Sequence, residues 1–271
     1  MVRYLVSVVV VLMLVVPASA DAYVEASIHA GCVSDWSDHQ HVATVLQHES
    51  YGTAGGTYGD WYTLSRVYVD PAEGVMRAYS ESGDNHYVAG SATSSFSNSR
   101  VAFHDYFTIG AGDSGLPTGA EVQIRFLASF DGDILLMGQP WSASQLSFRA
   151  TLSGVGHFSE LFFTTGGIHP PYDQSPSQVH DELVTVHVDD ILHLATYLYA
   201  DLGSCSNPTA GSIVSTVDAY STGRSQVGYA PGYEDLSITS QMGADIVPVP
   251  EPASLALLAL GLAGLISRRR R

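Results

Sequence analysis

The chain has 271 residues, 45% of them hydrophobic, and carries 27 acidic side chains against 11 basic ones, a formal net charge of −16. All the basic residues are arginines, and the last four close the chain, so the stretch before them is more acidic still. A surface of that sign repels phosphate backbones and anionic lipid, which excludes a nucleic-acid-binding role.

The chain opens on Arg3 followed by an apolar run from Leu5 to Val16, broken only by Ser7. Pro17-Ala18-Ser19-Ala20 then supplies a helix breaker and a small-x-small pattern. This is the layout of a secretory signal, with cleavage expected between Ala20 and Asp21 by a signal peptidase. Residues 1–20 are therefore expected to be a leader, and the body to run from 21 to 246.

Through the body, apolar and polar residues alternate with period two, the mark of half-buried strands. Ala22, Val24, Ala26 and Ile28 alternate with Tyr23, Glu25, Ser27 and His29. Further runs fall at 64–69, 86–96, 101–109, 121–130, 145–152, 160–165, 183–188, 191–199, 213–220 and 236–241. Ser82-Gly83-Asp84-Asn85, Asp131-Gly132-Asp133 and Ser206-Asn207-Pro208 read as the turns between them. The best helical pattern is a weak one over Asp38 to Glu49. The expected fold is all-β, an antiparallel β-sandwich of jelly-roll type.

Cys32 and Cys205 are the only cysteines. In an oxidising compartment an isolated pair is most simply a disulfide. The loop enclosed is long, so by the chain-entropy argument the bond would stabilise by about 4–5 kcal/mol. Two free buried thiols are the alternative.

The body supplies several fragments of chemistry and no complete catalytic set. Gly112-Asp113-Ser114-Gly115-Leu116-Pro117 is one residue from the nucleophile motif of chymotrypsin-like proteases, but the histidine segment that must accompany it is missing. His39 and His41, two apart, would share one face of a strand in a zinc- or copper-like arrangement. Asp131 and Asp133, or Asp189 and Asp190, offer hard oxygen ligands for calcium as a cofactor. Trp36, Trp61, Trp141 and the tyrosines offer stacking faces for sugars as well as core.

The tail begins with Val247-Pro248-Val249-Pro250-Glu251-Pro252, where each proline fixes φ and restrains its predecessor. An apolar stretch from Ala253 to Ile266 follows, then Arg268, Arg269, Arg270 and Arg271. As a helix that stretch is about 21 Å long against a hydrocarbon core of about 30 Å, so a short transmembrane helix there is a marginal anchor. The arginines would hold its end in the cytoplasm and leave the body outside.

Pro250-Glu251-Pro252, the short apolar helix and the arginine cluster, in that order, resemble the PEP-CTERM sorting signal of Gram-negative bacteria. The resemblance covers 247–271 alone. It implies handling by an exosortase, transient residence in the inner membrane, delivery to the cell surface or beyond, and association with exopolysaccharide in a biofilm. On this reading the chain is an exported surface or matrix protein, with no catalytic residue assigned. The alternatives are a secreted polysaccharide hydrolase or lyase and a calcium-dependent carbohydrate-binding module.

Overall fold

The computed structural model describes residues 22–30, 34–40, 45–56, 59–87, 95–136, 139–140, 144–168, 172–206 and 214–248. Its strands are β1 (Tyr23–Ala30), β2 (Ser34–Gln40), β3 (Leu46–Gly56), β4 (Gly59–Asp70), β5 (Val75–Tyr87), β6 (Ser95–Gly110), β7 (Glu121–Leu136) and β8 (Gln139–Pro140). They continue with β9 (Gln145–Gly154), β10 (His157–Thr164), β11 (Tyr172–Gln174), β12 (Ser177–His187), β13 (Ile191–Ser206), β14 (Val214–Tyr229) and β15 (Ser237–Ser240). The named strands all pair antiparallel, in two sheets.

One sheet runs β10-β9-β13-β6-β1-β2, with β15 on β6 and β8 on β13; the other runs β11-β7-β14-β5-β4-β3, with β12 on β7. The pairing is nested: β9 with β10, β7 with β12, β6 with β13, and β5 with β14. The chain thus behaves as one long hairpin curled so that successive pairs alternate between two stacked sheets. The sheets meet where β6 lies over β4 and β5, and β13 over β5 and β14.

Period-two burial follows the expected pattern on β7, where Val122, Ile124, Phe126, Ala128 and Phe130 are buried. Phe130 stacks on Phe148 of β9 and Phe163 of β10 at centroid distances of 5.4 and 4.9 Å, so aromatic rings fill this end of the core. Toward β4 and β5 the interior is different. Ser65 and Ser80 of one sheet face Ser97 and Ser99 of the other, all buried. Ser65 Oγ lies 2.5 Å from Ser97 Oγ, Ser80 donates to the Ala200 carbonyl, and Ser99 to that of Tyr79. Hydroxyls left unpaired there would cost about 1–3 kcal/mol each, which these cross-sheet bonds avoid.

Three local expectations are corrected. Asp38 to Glu49 holds no helix over its described residues; 38–40 lie in β2 and 46–49 in β3, with Val45 just before it. Ser82 to Asn85 lies inside β5, and Asp131-Gly132-Asp133 inside β7. Pairing of β5 with β4 and β14, and of β7 with β12 and β14, holds these two segments extended and overrides their turn preference. β14 absorbs the mismatch opposite Gly132 with a bulge between Asp218 and Thr222.

Candidate functional site

Along one flank, β10 of the eight-stranded sheet lies beside β12 of the other. His157 opens β10 directly after the tight Val155-Gly156 connection, where Gly156 takes φ +78°. His187 closes β12, and the chain turns through Val188 and Asp189 into β13. Asp190 N–H donates to the His187 carbonyl at 3.0 Å to close that turn. Asp189 sits at φ 75°, a left-handed position aspartate tolerates better than most residues. Val188 N–H to the Ala120 carbonyl (3.0 Å) and Ile109 N–H to the Asp190 carbonyl (3.0 Å) lock the turn to its neighbours.

The carboxylate of Asp190 folds back over this turn. Its Oδ2 accepts the backbone N–H of His187 at 2.8 Å and lies 3.4 Å from His187 Nδ1 and 4.0 Å from His157 Nε2. The two imidazole rings stand 5.8 Å apart between centroids. The three ligand atoms all lie within 4.8 Å of one another, the one such metal-ligand group among the described residues. His157 Nε2 is buried and has no hydrogen-bond partner.

Farther along the flank, Ser159 Oγ lies 2.9 Å from His180 Nε2 and donates to Glu182 Oε2, which is itself 3.1 Å from the same Nε2. A nucleophile relay needs the acid on the other ring nitrogen, orienting the base. Here serine and acid share one nitrogen, so the trio closes on itself and ties β10 to β12.

A second polar centre lies on β6. Asp105 is fully buried. Its Oδ1 accepts the backbone N–H groups of Tyr106 (2.7 Å) and Met242 (3.0 Å), and Oδ2 accepts the Ser240 hydroxyl. Burial raises the Asp105 carboxyl above its ordinary value despite those donors. On the opposite face of the strand, His104 Nδ1 lies 3.0 Å from His193 Nε2. Tyr23 stacks on His104 and Tyr106 on His193, with Tyr197 edge-on to His104. Burial lowers His193, with the Asp105 charge opposing it.

The residues singled out from sequence are mostly elsewhere. His39 lies in β2, opposite Glu25, while His41 lies outside the described residues. Asp131 and Asp133 are exposed along β7, and Asp131 lines an open depression with Ser177, Gln178 and Arg224. Ser114 of the protease-like motif donates its hydroxyl back to the Ala111 carbonyl within a single 3₁₀ turn. Cys205 lies in β13, while Cys32, Ala20, Asp21 and Trp141 are outside the described residues. His157 carried no signal, because its partners come from another hairpin. Asp190, one of the carboxylates that could serve calcium, forms one site with His187 because the turn between them folds its carboxylate back.

The last described residues pack back onto β14. Val247 N–H donates to the Val227 carbonyl at 3.0 Å, and Tyr229 N–H to that of Val247 at 3.1 Å. Gly228 makes room: a Cβ there would stand 2.7 Å from the Val247 oxygen. Residues 249–271, including Pro250, Glu251, Pro252 and the arginines, lie outside the described residues. The family profile of the PEP-CTERM protein-sorting motif matches residues 248–271. The chain carries the PEP-CTERM protein-sorting motif in its C-terminal region. A PEP-CTERM protein is exported and sorted at the membrane by an exosortase-type enzyme. No curated protein and no solved structure matches this one. Among the described residues no helix is long and apolar enough to cross a membrane.

Proposed function

We propose that this PEP-CTERM protein is a non-catalytic cell-surface or matrix component, built on a jelly-roll sandwich and associated with exopolysaccharide. The observation that carries the reading is the sorting motif at 248–271, directly after the last strand contact at Val247. The nested strand pairing supports the jelly roll. The closed Ser159–His180–Glu182 trio supports a structural over a catalytic flank. A leader at 1–20 removed by signal peptidase, and a transient anchor at 253–266, complete the proposed route.

The test replaces Pro250-Glu251-Pro252 by alanines and follows the protein by fractionation. Retention in the inner membrane with an uncleaved tail is expected. Unchanged surface delivery would overturn the sorting role.

A second reading, a carbohydrate-binding module, is favoured by the outer face of the eight-stranded sheet. There Tyr23, Tyr106 and Tyr197 are half-buried and cluster around His104 and His193. Such rings offer an apolar face to a sugar and a hydroxyl at its rim.

A further inference from the structure

The geometry points to a divalent transition-metal site formed by His157, His187 and Asp190, which clasps the two sheets along the β10–β12 flank. Three observations converge on it. Two imidazole nitrogens and one carboxylate oxygen, from two different hairpins, already lie within 4.8 Å of one another. At zinc–ligand distances of about 2.0–2.2 Å, tetrahedral donors stand roughly 3.3 Å apart. The His187–Asp190 separation of 3.4 Å matches that, and the 4.0 Å of His157–Asp190 needs only a small contraction.

The second observation is the state of His157 Nε2. A buried nitrogen without a partner costs about 1–3 kcal/mol, and native interiors seldom leave one so. At 4.0 Å the Asp190 carboxylate is too far to serve as its hydrogen-bond partner. An ion between them supplies the missing partner.

The third is rigidity. Asp190 Oδ2 is aimed by the His187 N–H, and the turn that carries it is pinned to Ile109 and Ala120. Ligands held in place by hydrogen bonds from outside the site bind metal more tightly than mobile ones. The donor set selects the ion. Calcium and magnesium take oxygen ligands, whereas two imidazoles with one carboxylate suit zinc and its first-row neighbours. Three protein ligands leave a fourth position open to water. His157 belongs to one sheet and His187 to the other, so the ion cross-links two edges that otherwise meet through side chains.

The experiment titrates the purified, metal-free chain with Zn²⁺ against a chromophoric chelator, with Ca²⁺ in a parallel run. One zinc per chain is expected, with calcium far weaker. Losing an outer-shell partner alone weakens metal sites by about 10–100-fold, so H157A and H187A should each weaken zinc binding at least tenfold. His187 is half-exposed at a strand end, so H187A keeps the fold, which its circular dichroism verifies. At 100 times the parent's dissociation constant, zinc should raise the melting temperature of the parent chain by about 5–10 °C and that of H187A by about half as much or less. Zinc binding that survives H157A and H187A, or that disappears instead in a His39→Ala, His41→Ala chain, would overturn the assignment. Calcium binding as tight as zinc would overturn it too.

Discussion

Asp105 is the residue whose replacement tests the interior most sharply, because one carboxylate joins β6 to the segment that leads into the sorting tail. Asp105→Ala strips the partner from two backbone N–H groups, those of Tyr106 and Met242, in a dry interior. The Ser240 hydroxyl can rotate, so it is not counted. At about 1–3 kcal/mol per orphaned donor, less the relief from removing a buried carboxylate, the net loss is about 3 kcal/mol. For a body of this size that lowers the melting temperature by about 6–12 °C.

Asp105→Asn behaves differently. Both backbone donors go to the same oxygen, Oδ1, which asparagine keeps, so its cost stays within about 1 kcal/mol. The pH dependence carries the sign. Burial raises the folded-state carboxyl above its ordinary 3.8, so the native chain holds this proton more tightly than the unfolded one. Asp105 therefore makes stability fall as pH rises from 3.8 through the raised value, and Asp105→Asn removes that slope. His193, lowered by burial, contributes the opposite slope below its ordinary 6.5 and remains in both chains. Thermal melts between pH 4 and 8 read all of this. An alanine variant as stable as the parent, or an asparagine variant as damaged as alanine, would refute the account.

Two further outcomes follow from the same structure. β1 ends at Ala30, opposite Ser97, and Cys205 lies opposite Ser95, so the chain leaves β1 at the end of the sheet that carries Cys205. We expect a Cys32–Cys205 bond, visible as faster non-reducing migration and a higher melting temperature; identical behaviour with and without reductant excludes it. If the outer tyrosines hold polysaccharide, Tyr106→Ala with Tyr197→Ala should weaken binding to the producing strain's exopolysaccharide about tenfold, near 1.4 kcal/mol. Unchanged binding in a pull-down would remove that reading.

Much of the sheet was legible in the chain because alternation is local. Val122 to Phe130, or Val184 with Val186, announce their buried face without reference to any other strand. The serines at 65, 80, 97 and 99 invert that logic. They look like an outward face, and they are buried because each meets a hydroxyl or a carbonyl of the opposite sheet. Asp131-Gly132-Asp133 failed as a turn for a related reason: the strands on either side of β7 hold it extended.

The sorting address is the part determined by sequence alone. Proline-glutamate-proline, an apolar stretch and four arginines act in linear order, through backbone restriction, hydrophobicity and charge, and need no fold to be read. The paired histidines and Asp190 are the reverse case. His157 and His187 stand thirty positions apart on different sheets, and Asp190 reaches them only because the turn after β12 points its carboxylate backward. Ligand geometry is a matter of ångströms between side chains, and the stacking of the two sheets sets those distances.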